Sequence, residues 1–299
     1  MTGPDFRFSF SVRGNAFTAP AIEPGLYIVS TPIGNLGDIT IRALEVLAAC
    51  DVIACEDTRT SGVLLSKYGI DRPKVSYTEH NADRQGVSLL RQITEGASVA
   101  LISDAGTPLV SDPGSRLVVQ AVKQGLKIIP LPGASAPLAA LTGSGLADGG
   151  FRFAGFLPSK ENARRRALKS LQQETVPVCY FESPSRLRAC LNDMIAVFGE
   201  QRHVTIAREL TKLHETFHRG TLASLKAEFD EMERIRGEIV IIVEAAPALE
   251  ISEEETDKLL ARALQTMKTK QAAKSVAAQT GKSQQELYKR LLTLKHSDE

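Results

Sequence analysis

The sequence predicts an α/β protein built on a mainly parallel sheet with helices on both faces. Short apolar strands alternate with helix-period segments from Leu26 to Pro130. Three strands run into Gly- and Pro-rich corners: Tyr27–Asp38 (YIVSTPIGNLGD), Leu101–Gly114 (LISDAGTPLVSDPG) and Lys127–Leu138 (KIIPLPGASAPL). Open α/β sheets bind small molecules at the carboxyl ends of their strands, where such loops lie. Any one of them is equally readable as an ordinary turn, because Gly, Pro, Asp and Ser dominate turns. Three loops converging on one crevice favour a ligand site.

The elements follow in order. Leu26–Ser30 is a strand, and the next segment places Ile41, Leu44, Leu47 and Ala48 at helical spacing behind Asp38 or Thr40 as N-cap. Asp51–Cys55 is a strand ending at Glu56-Asp57-Thr58-Arg59, and Thr60–Tyr68 is a helix closed by Gly69. Lys74–Tyr77 is a strand ending in Glu79-His80-Asn81, and Arg84–Glu95 is a helix stopped by Gly96. Ser98–Ser103 (strand), Gly114–Gln124 (helix) and Leu126–Pro130 (strand) complete this half.

Ala134–Leu141 starts a further helix, followed by the Gly-rich linker Gly143–Gly150. Then come Phe151–Phe156, a basic helix, Val178–Glu182, a helix over Ser185–Phe198, His203–Arg208, Thr221–Phe229 and Glu238–Glu244. With more strands per helix, this half predicts a mixed sheet. Pro247 and the acidic run Glu253–Asp257 mark the next boundary, with Ser252 as a candidate helix cap. Asp257–Met267, Lys270–Thr280 and Gln284–Leu294 read as helices, the last two joined by Gly281-Lys282-Ser283 in a helix-turn-helix pattern. Ala272, Ala273, Val276, Leu287, Leu291 and Leu292 supply its core. The organisation is therefore an amino-terminal arm (1–24), two α/β domains (25–133 and 134–248) and a small helical domain (252–297).

A chain of 299 residues is long enough for two or three such domains, and 43% hydrophobic with 24% charged residues is normal for a soluble globular protein. No apolar run is long enough to span a membrane, and Met1–Pro20 lacks the apolar core of a signal peptide. Its Gly, Pro, Ser and Phe mixture reads as a poorly ordered arm. Cys50, Cys55, Cys179 and Cys190 lack zinc-ligand spacing and read as buried free thiols in a reducing cytoplasm. Lys258–His296 holds nine Lys or Arg against the single acid Glu286, a local +8 that leaves −7 for the rest of a chain totalling +1. Lys160–Lys169 (KENARRRALK) holds five bases and one acid. One basic run alone reads as a solvated helix face; two shift the balance toward a polyanion such as nucleic acid.

The dinucleotide fingerprint is absent, since Gly34-Asn-Leu-Gly37-Asp38 has the wrong spacing, and no Walker A lysine loop, Ser-His-Asp set or metal cluster is evident. Polar strand ends at Glu56/Asp57/Arg59, Glu79/His80, Ser103/Asp104, Glu182 and Arg208/Glu209 offer a general base and charge stabilisation, or simply helix caps.

Seven motifs occur in order: STPIGNLGDIT (Ser30–Thr40), EDTR (Glu56–Arg59), SDAGTPLVSDPG (Ser103–Gly114), LPGASA (Leu131–Ala136), GFLPSK (Gly155–Lys160), FESPSRL (Phe181–Leu187) and ARELTKLHET (Ala207–Thr216). Together they closely resemble the bacterial ribosomal RNA small-subunit methyltransferase I family, within the tetrapyrrole methylase superfamily. The resemblance covers roughly Gly25 to Lys295. It implies two α/β domains of tetrapyrrole-methylase type with S-adenosylmethionine in the cleft between them, usually as a homodimer. It also implies 2′-O-methylation of a cytidine ribose in 16S ribosomal RNA near the decoding centre. By the same resemblance Ile33, Ser103, Asp104, Thr107, Ser135 and Ala136 meet the cofactor from the three loops, while Phe181 and Leu210 reach in from the second domain. Two departures stand out. Ser185 occupies a position where relatives often carry His, and the superfamily's GxGPGD loop is replaced by the longer STPIGNLGD, typical of the RNA-modifying branch. Tetrapyrrole methylation and a non-catalytic nucleic-acid-binding regulator are the alternatives.

For the transfer itself, alignment of oxygen, methyl carbon and sulfur lowers the barrier, and a base near the hydroxyl adds about 10²–10⁴-fold. Glu56 and Glu182 rank above His80 as that base, with Asp57 and Glu209 also in range of the strand ends. Phosphate contacts are expected from Arg59, Arg186 and Arg208, and from Lys160, Arg164, Arg165 and Arg166 on the basic helix. The tail adds Lys268, Lys270, Lys274, Lys282, Lys289 and Arg290, and the partner that the resemblance implies is 16S ribosomal RNA within the 30S subunit.

Overall fold

The computed structural model describes residues 8–147, 149–247 and 253–297. Met1–Arg7 of the arm and the Ser252 cap lie outside the described residues. The chain forms two compact units: one runs to Gln172 and resumes over Val176–Glu244, and the other comprises Gln173–Thr175 and the segment from Ala245 onward. Both α/β sheets lie in the first unit.

The arm is a correction. Its described part forms a β-hairpin, β1 (Ser9–Val12) with β2 (Asn15–Thr18). Arg13 and Gly14, both at positive φ, make the two-residue turn that matches strand twist. Phe10 is buried and stacks on Phe17, and the Ser11 amide donates to the Tyr68 carbonyl. Phe10, with Phe8 packed against the same core, thus anchors a segment whose composition reads as loop.

The first sheet comprises β3 (Gly25–Val29), β4 (Val52–Cys55), β5 (Lys74–Ser76), β6 (Ser98–Ile102) and β7 (Ile128–Leu131), in the order β5-β4-β6-β3-β7, all parallel. Between them run α1 (Ile41–Ala49), α2 (Thr58–Lys67), α3 (Ala82–Thr94) and α4 (Ser115–Lys123). Thr40 caps α1, its hydroxyl accepting from the Ala43 amide at 3.1 Å. Successive strand side chains serve opposite faces. Val29, Ile53 and Ile102 pack with Leu44, Leu47 and Leu65, whereas Leu26, Ile28 and Leu101 pack with Leu89 and Leu117. Strands buried on both faces read as continuous apolar runs, as these do.

The second sheet comprises β8 (Arg152–Phe156), β9 (Val178–Glu182), β10 (His203–Arg208), β11 (Thr216–Thr221) and β12 (Ile239–Val243), in the order β11-β10-β12-β9-β8. Only β8 and β9 pair in parallel, so the sheet is mixed. Helices α6 (Glu161–Ser170), α7 (Leu187–Phe198) and α8 (Leu222–Glu231) cover one face, centred on Leu168, Met194 and Phe229. The other face receives α5 (Ala136–Ser144), whose Ala140 and Leu141 pack on Cys179, Ala207 and Val240. Ile33, from the loop after β3, joins that same cluster and ties the two sheets together. Thr221–Phe229 proves to be the start of α8, capped by the Thr221 hydroxyl, and the preceding edge strand β11 is not singled out by sequence. All four cysteines are buried free thiols.

The second unit holds α9 (Glu253–Leu264), α10 (Thr269–Thr280) and α11 (Gln284–Ser297). Leu260, Ala272, Ala273, Val276, Leu287 and Leu291 form its core. Leu292, expected in that core, is exposed: it lies one residue past the buried seam of α11. No helix among the described residues is long and apolar enough to cross a membrane.

Candidate functional site

Three loops meet at the carboxyl ends of the neighbouring strands β6, β3 and β7. Thr31 and Gly106 exchange backbone hydrogen bonds of 2.8 and 2.9 Å, joining the first loop to the second. The Thr107 hydroxyl donates to the Ala134 carbonyl at 3.0 Å, joining the second to the third. Gly106 sits at φ +82°, and a Cβ there would press on Ile33 at 3.2 Å. Leu109 and Ser111 also hold positive φ, backbone strain of the kind that gathers at binding loops.

The second sheet contributes the facing wall. The carboxyl end of β9 carries Phe181 and Glu182, and the loop after β10 carries Leu210 between Glu209 and Thr211, both at positive φ. Glu209 is fastened down: its Oε1 accepts from Lys212 Nζ and from the Glu238 amide, each at 2.9 Å. These contacts hold its carboxyl below the usual range and leave it no freedom to act as a base. Gly237 lies beneath it at φ +88°, where any Cβ would collide with the Glu209 side chain. The Thr211 hydroxyl accepts from the Asn35 amide at 3.1 Å, linking the two walls.

Between the walls is a cavity of about 410 Å³. Ile33, Thr107, Ser135, Ala136, Phe181 and Leu210, all anticipated from sequence, line it. Phe181 packs against the rings of Phe153 and Phe156, with centroids at 4.9 and 5.3 Å. Two anticipated residues do not line it. Ser103 is buried, and its hydroxyl donates to the Gly106 carbonyl at 3.1 Å, propping the loop from behind. Asp104 turns outward, its Oδ1 accepting from the Asp57 amide at 3.2 Å. Sequence reading missed Val110, Ser111, Asp112, Phe156 and the 237–240 segment, which also line the cavity. Asp112 was visible in the SDPG corner, but a turn aspartate carries no mark of facing inward.

Of the candidate bases, only Glu182 lines the cavity. It is 3% exposed, and its side chain is fully buried on the face of β9 opposite Phe181, beside Cys190; its Oε1 accepts from the Ser183 amide at 2.8 Å and lies 3.3 Å from Arg186 Nε, so its carboxylate is closed off from the cavity. Glu56 is exposed and outside the lining; burial, then the Asp104 and Asp57 carboxylates, push its carboxyl upward. His80 is exposed in the turn after β5 and also outside the lining. Asp57 caps α2 and pairs with Arg59 at 3.1 Å, which holds its carboxyl low. Burial, followed by the Glu56 carboxylate, raises Asp112 to about 6. An apolar cavity of this size with a few placed polar groups suits a small organic ligand, whose typical sites measure about 300–1,000 Å³.

The basic candidates separate. Arg164 is a correction: it is buried, its Nε donating to Asp193 Oδ2 at 2.6 Å, so it holds α6 to α7 rather than facing a polyanion. Arg165 donates to the other Asp193 oxygen at 2.6 Å and pairs with Glu161, and is still half-exposed. Lys160 and Arg166 are exposed on that helix, as is Arg59 at the start of α2. Arg186 donates to the Leu157 carbonyl at 2.6 Å as well as facing Glu182, and Arg208 donates to the Arg236 carbonyl at 2.9 Å. In the helical unit Lys268, Lys270, Lys274 and Lys289 are exposed. Lys282 bonds Thr256, and Arg290 clamps Asp257 and Glu253, so these two brace the unit's own helices.

Residues 25–226 match the family described as Tetrapyrrole (Corrin/Porphyrin) Methylases, and residues 250–295 match the RsmI C-terminal HTH domain. The chain is 50% identical over 277 residues to the ribosomal RNA small subunit methyltransferase I of Mesorhizobium japonicum, covering 93% of this chain and 94% of that protein. Its likeness to the protein of the same name from Haemophilus influenzae is 44% over 267 residues, covering 88% and 94%. Among solved structures, diphthine synthase superposes with a TM-score of 0.58 at 17% identity, over 74% of this chain and 89% of the other. A cobalt precorrin-4 methyltransferase superposes at 0.55 with 18% identity, over 73% and 94%. Both of these likenesses describe the fold.

Proposed function

The chain belongs to the tetrapyrrole methylases, within the ribosomal RNA small subunit methyltransferase I family, and from that premise we propose that it transfers a methyl group from S-adenosylmethionine to the 2′-oxygen of a cytidine ribose in 16S ribosomal RNA, near the decoding centre. It works as a cytoplasmic homodimer on the 30S subunit. One observation carries the chemistry: an apolar cavity, lined by Ile33, Phe181 and Leu210 with a few placed polar groups, at the carboxyl ends of β6, β3 and β7.

The cavity fits the cofactor. Ile33, Ala136, Phe181, Leu210 and Val240 offer apolar surface to a purine ring and an alkyl chain, and the polar groups of the Thr107 and Ser135 loops fix orientation. When bound, S-adenosylmethionine supplies a methyl group already activated on a positively charged sulfur. The protein's remaining tasks are alignment and proton removal. Glu182 and Arg186, 3.3 Å apart, brace the Ser183 edge of the cavity from behind. Phe181, packed against Phe153 and Phe156, presents an apolar wall to the reacting centre. The target nucleotide must be splayed out of folded RNA to reach such a cavity. The exposed lysines of the helical unit, with Lys160 and Arg166, supply the sequence-independent phosphate contacts that hold the substrate.

Calorimetric titration with S-adenosylmethionine, followed by transfer assays on 30S particles and on uroporphyrinogen, tests this reading. Saturable cofactor binding with methyl transfer to the 30S particle supports it. Transfer to uroporphyrinogen alone, or no cofactor binding, overturns it.

A further inference from the structure

Beside the cavity lies a second concavity, an open groove of about 640 Å³ lined by Pro184, Ser185, Arg188, Arg234, Arg236 and Gly237, with Glu233 its sole acid. Pro184 and Gly237 line both spaces, so the groove opens directly onto the cavity mouth. Its floor is the loop between α8 and β12, which is held in place by arginines bonding backbone carbonyls. Arg188 donates to the Phe229 carbonyl at 3.0 Å and to that of Met232, and Arg208 donates to that of Arg236 at 2.9 Å. The loop presents two more arginines, Arg234 and Arg236, both exposed. Among the described residues neither guanidinium is engaged in an ion pair or hydrogen bond. Unneutralised cations on a pinned loop at the rim of an active-site cavity are pre-organised for an anion.

Resting on the RNA reading above, we propose that this groove holds the phosphate on the 3′ side of the target nucleotide, clamped by Arg234 and Arg236. The 2′-oxygen and the 3′-phosphate sit on adjacent ribose carbons, so a cavity that admits the first must open onto a place for the second. Guanidinium forks match phosphate oxygens bidentately, which a surface lysine does not do. The groove then gives register: it fixes the ribose relative to the cavity, whereas the lysines of the helical unit supply sequence-independent attraction.

The test uses the full-length protein and its Arg234→Gln/Arg236→Gln variant, with 30S particles as methyl acceptor and a short single-stranded RNA as binding probe. Circular dichroism melting and S-adenosylmethionine titration report the fold and the cofactor site, and both should match the parent. The double variant should bind the probe at least tenfold more weakly. Its log–log salt slope should be shallower by about 0.7 for each lost contact to a single strand. Single-turnover transfer to 30S particles should also slow. If the parent methylates 30S particles and the variant matches it in affinity, salt slope and rate, the groove assignment is wrong while the RNA reading stands. If the parent transfers no methyl group to RNA, both fall.

Discussion

Replacing Asp112 by asparagine should make the protein more stable, and only above a definite pH. Asp112 lines the cavity, and its carboxyl is raised from 3.8 to about 6, first by burial and then by the Glu56 carboxylate. Between those two values the folded protein holds a proton that the unfolded chain has released. Ionising Asp112 therefore costs the folded state stability as pH rises through this window, and the penalty is complete above pH 6 and absent below 3.8. A shift of about two units corresponds to roughly 3 kcal/mol. Because the group is only half-buried, solvent screening reduces this to about 1–1.5 kcal/mol. Asparagine keeps the shape and an oxygen acceptor but does not ionise. Urea unfolding followed by circular dichroism should show the two proteins equal near pH 4, separating through pH 6, with asparagine ahead at pH 7.5. An asparagine protein less stable at pH 7.5, or a difference constant from pH 4 to 7.5, would refute the reasoning. A carboxylate perturbed in this way beside a cavity is a candidate functional position.

Three further outcomes follow from the same geometry. Glu182→Gln should leave single-turnover methyl transfer and S-adenosylmethionine affinity near parental, because the side chain is buried away from the cavity; a loss of about 10²–10⁴-fold in rate with unchanged affinity would restore Glu182 as the base. Arg164→Ala should lower stability by about 3 kcal/mol, because it strips one partner from the buried Asp193, without changing the salt slope of RNA binding. A reversed pattern in the two measurements would restore Arg164 to the RNA-facing set. Ending the chain near Glu250 should preserve cofactor binding, weaken 30S binding and flatten its salt slope by about one unit per lost phosphate contact; an unchanged slope with a lower melting temperature would make the helical unit a packing module.

What the sequence made legible was periodicity and loop chemistry. Strands such as Val178–Glu182 are apolar on both faces and stand out, and the three loop corners place Ile33, Thr107, Ser135 and Ala136 where the cavity forms. What escaped was set by tertiary contact. The β1–β2 hairpin depends on Phe10 finding the first core, and no local pattern announces that. The edge strand Thr216–Thr221, with its half-polar face, lacks the apolar run of an inner strand. Charge counting placed Arg164 among exposed bases, although Asp193, 29 residues away, buries it. Asp104 and Asp112 lie in one loop and look alike in sequence. Only the path of the backbone through the positive-φ residues Leu109 and Ser111 turns the second inward while the first bonds the Asp57 amide.

The central claim is methyl transfer to a ribose 2′-oxygen. Purified protein, 30S particles and S-adenosylmethionine labelled in its methyl group test it directly. A methylated 2′-oxygen cannot attack the neighbouring phosphate, so the labelled site resists alkaline cleavage. The account predicts that after alkaline hydrolysis the label remains in a single alkali-stable dinucleotide containing 2′-O-methylcytidine. Label released as an ordinary mononucleotide, which places the methyl group on a base, or no label in RNA at all, would contradict it.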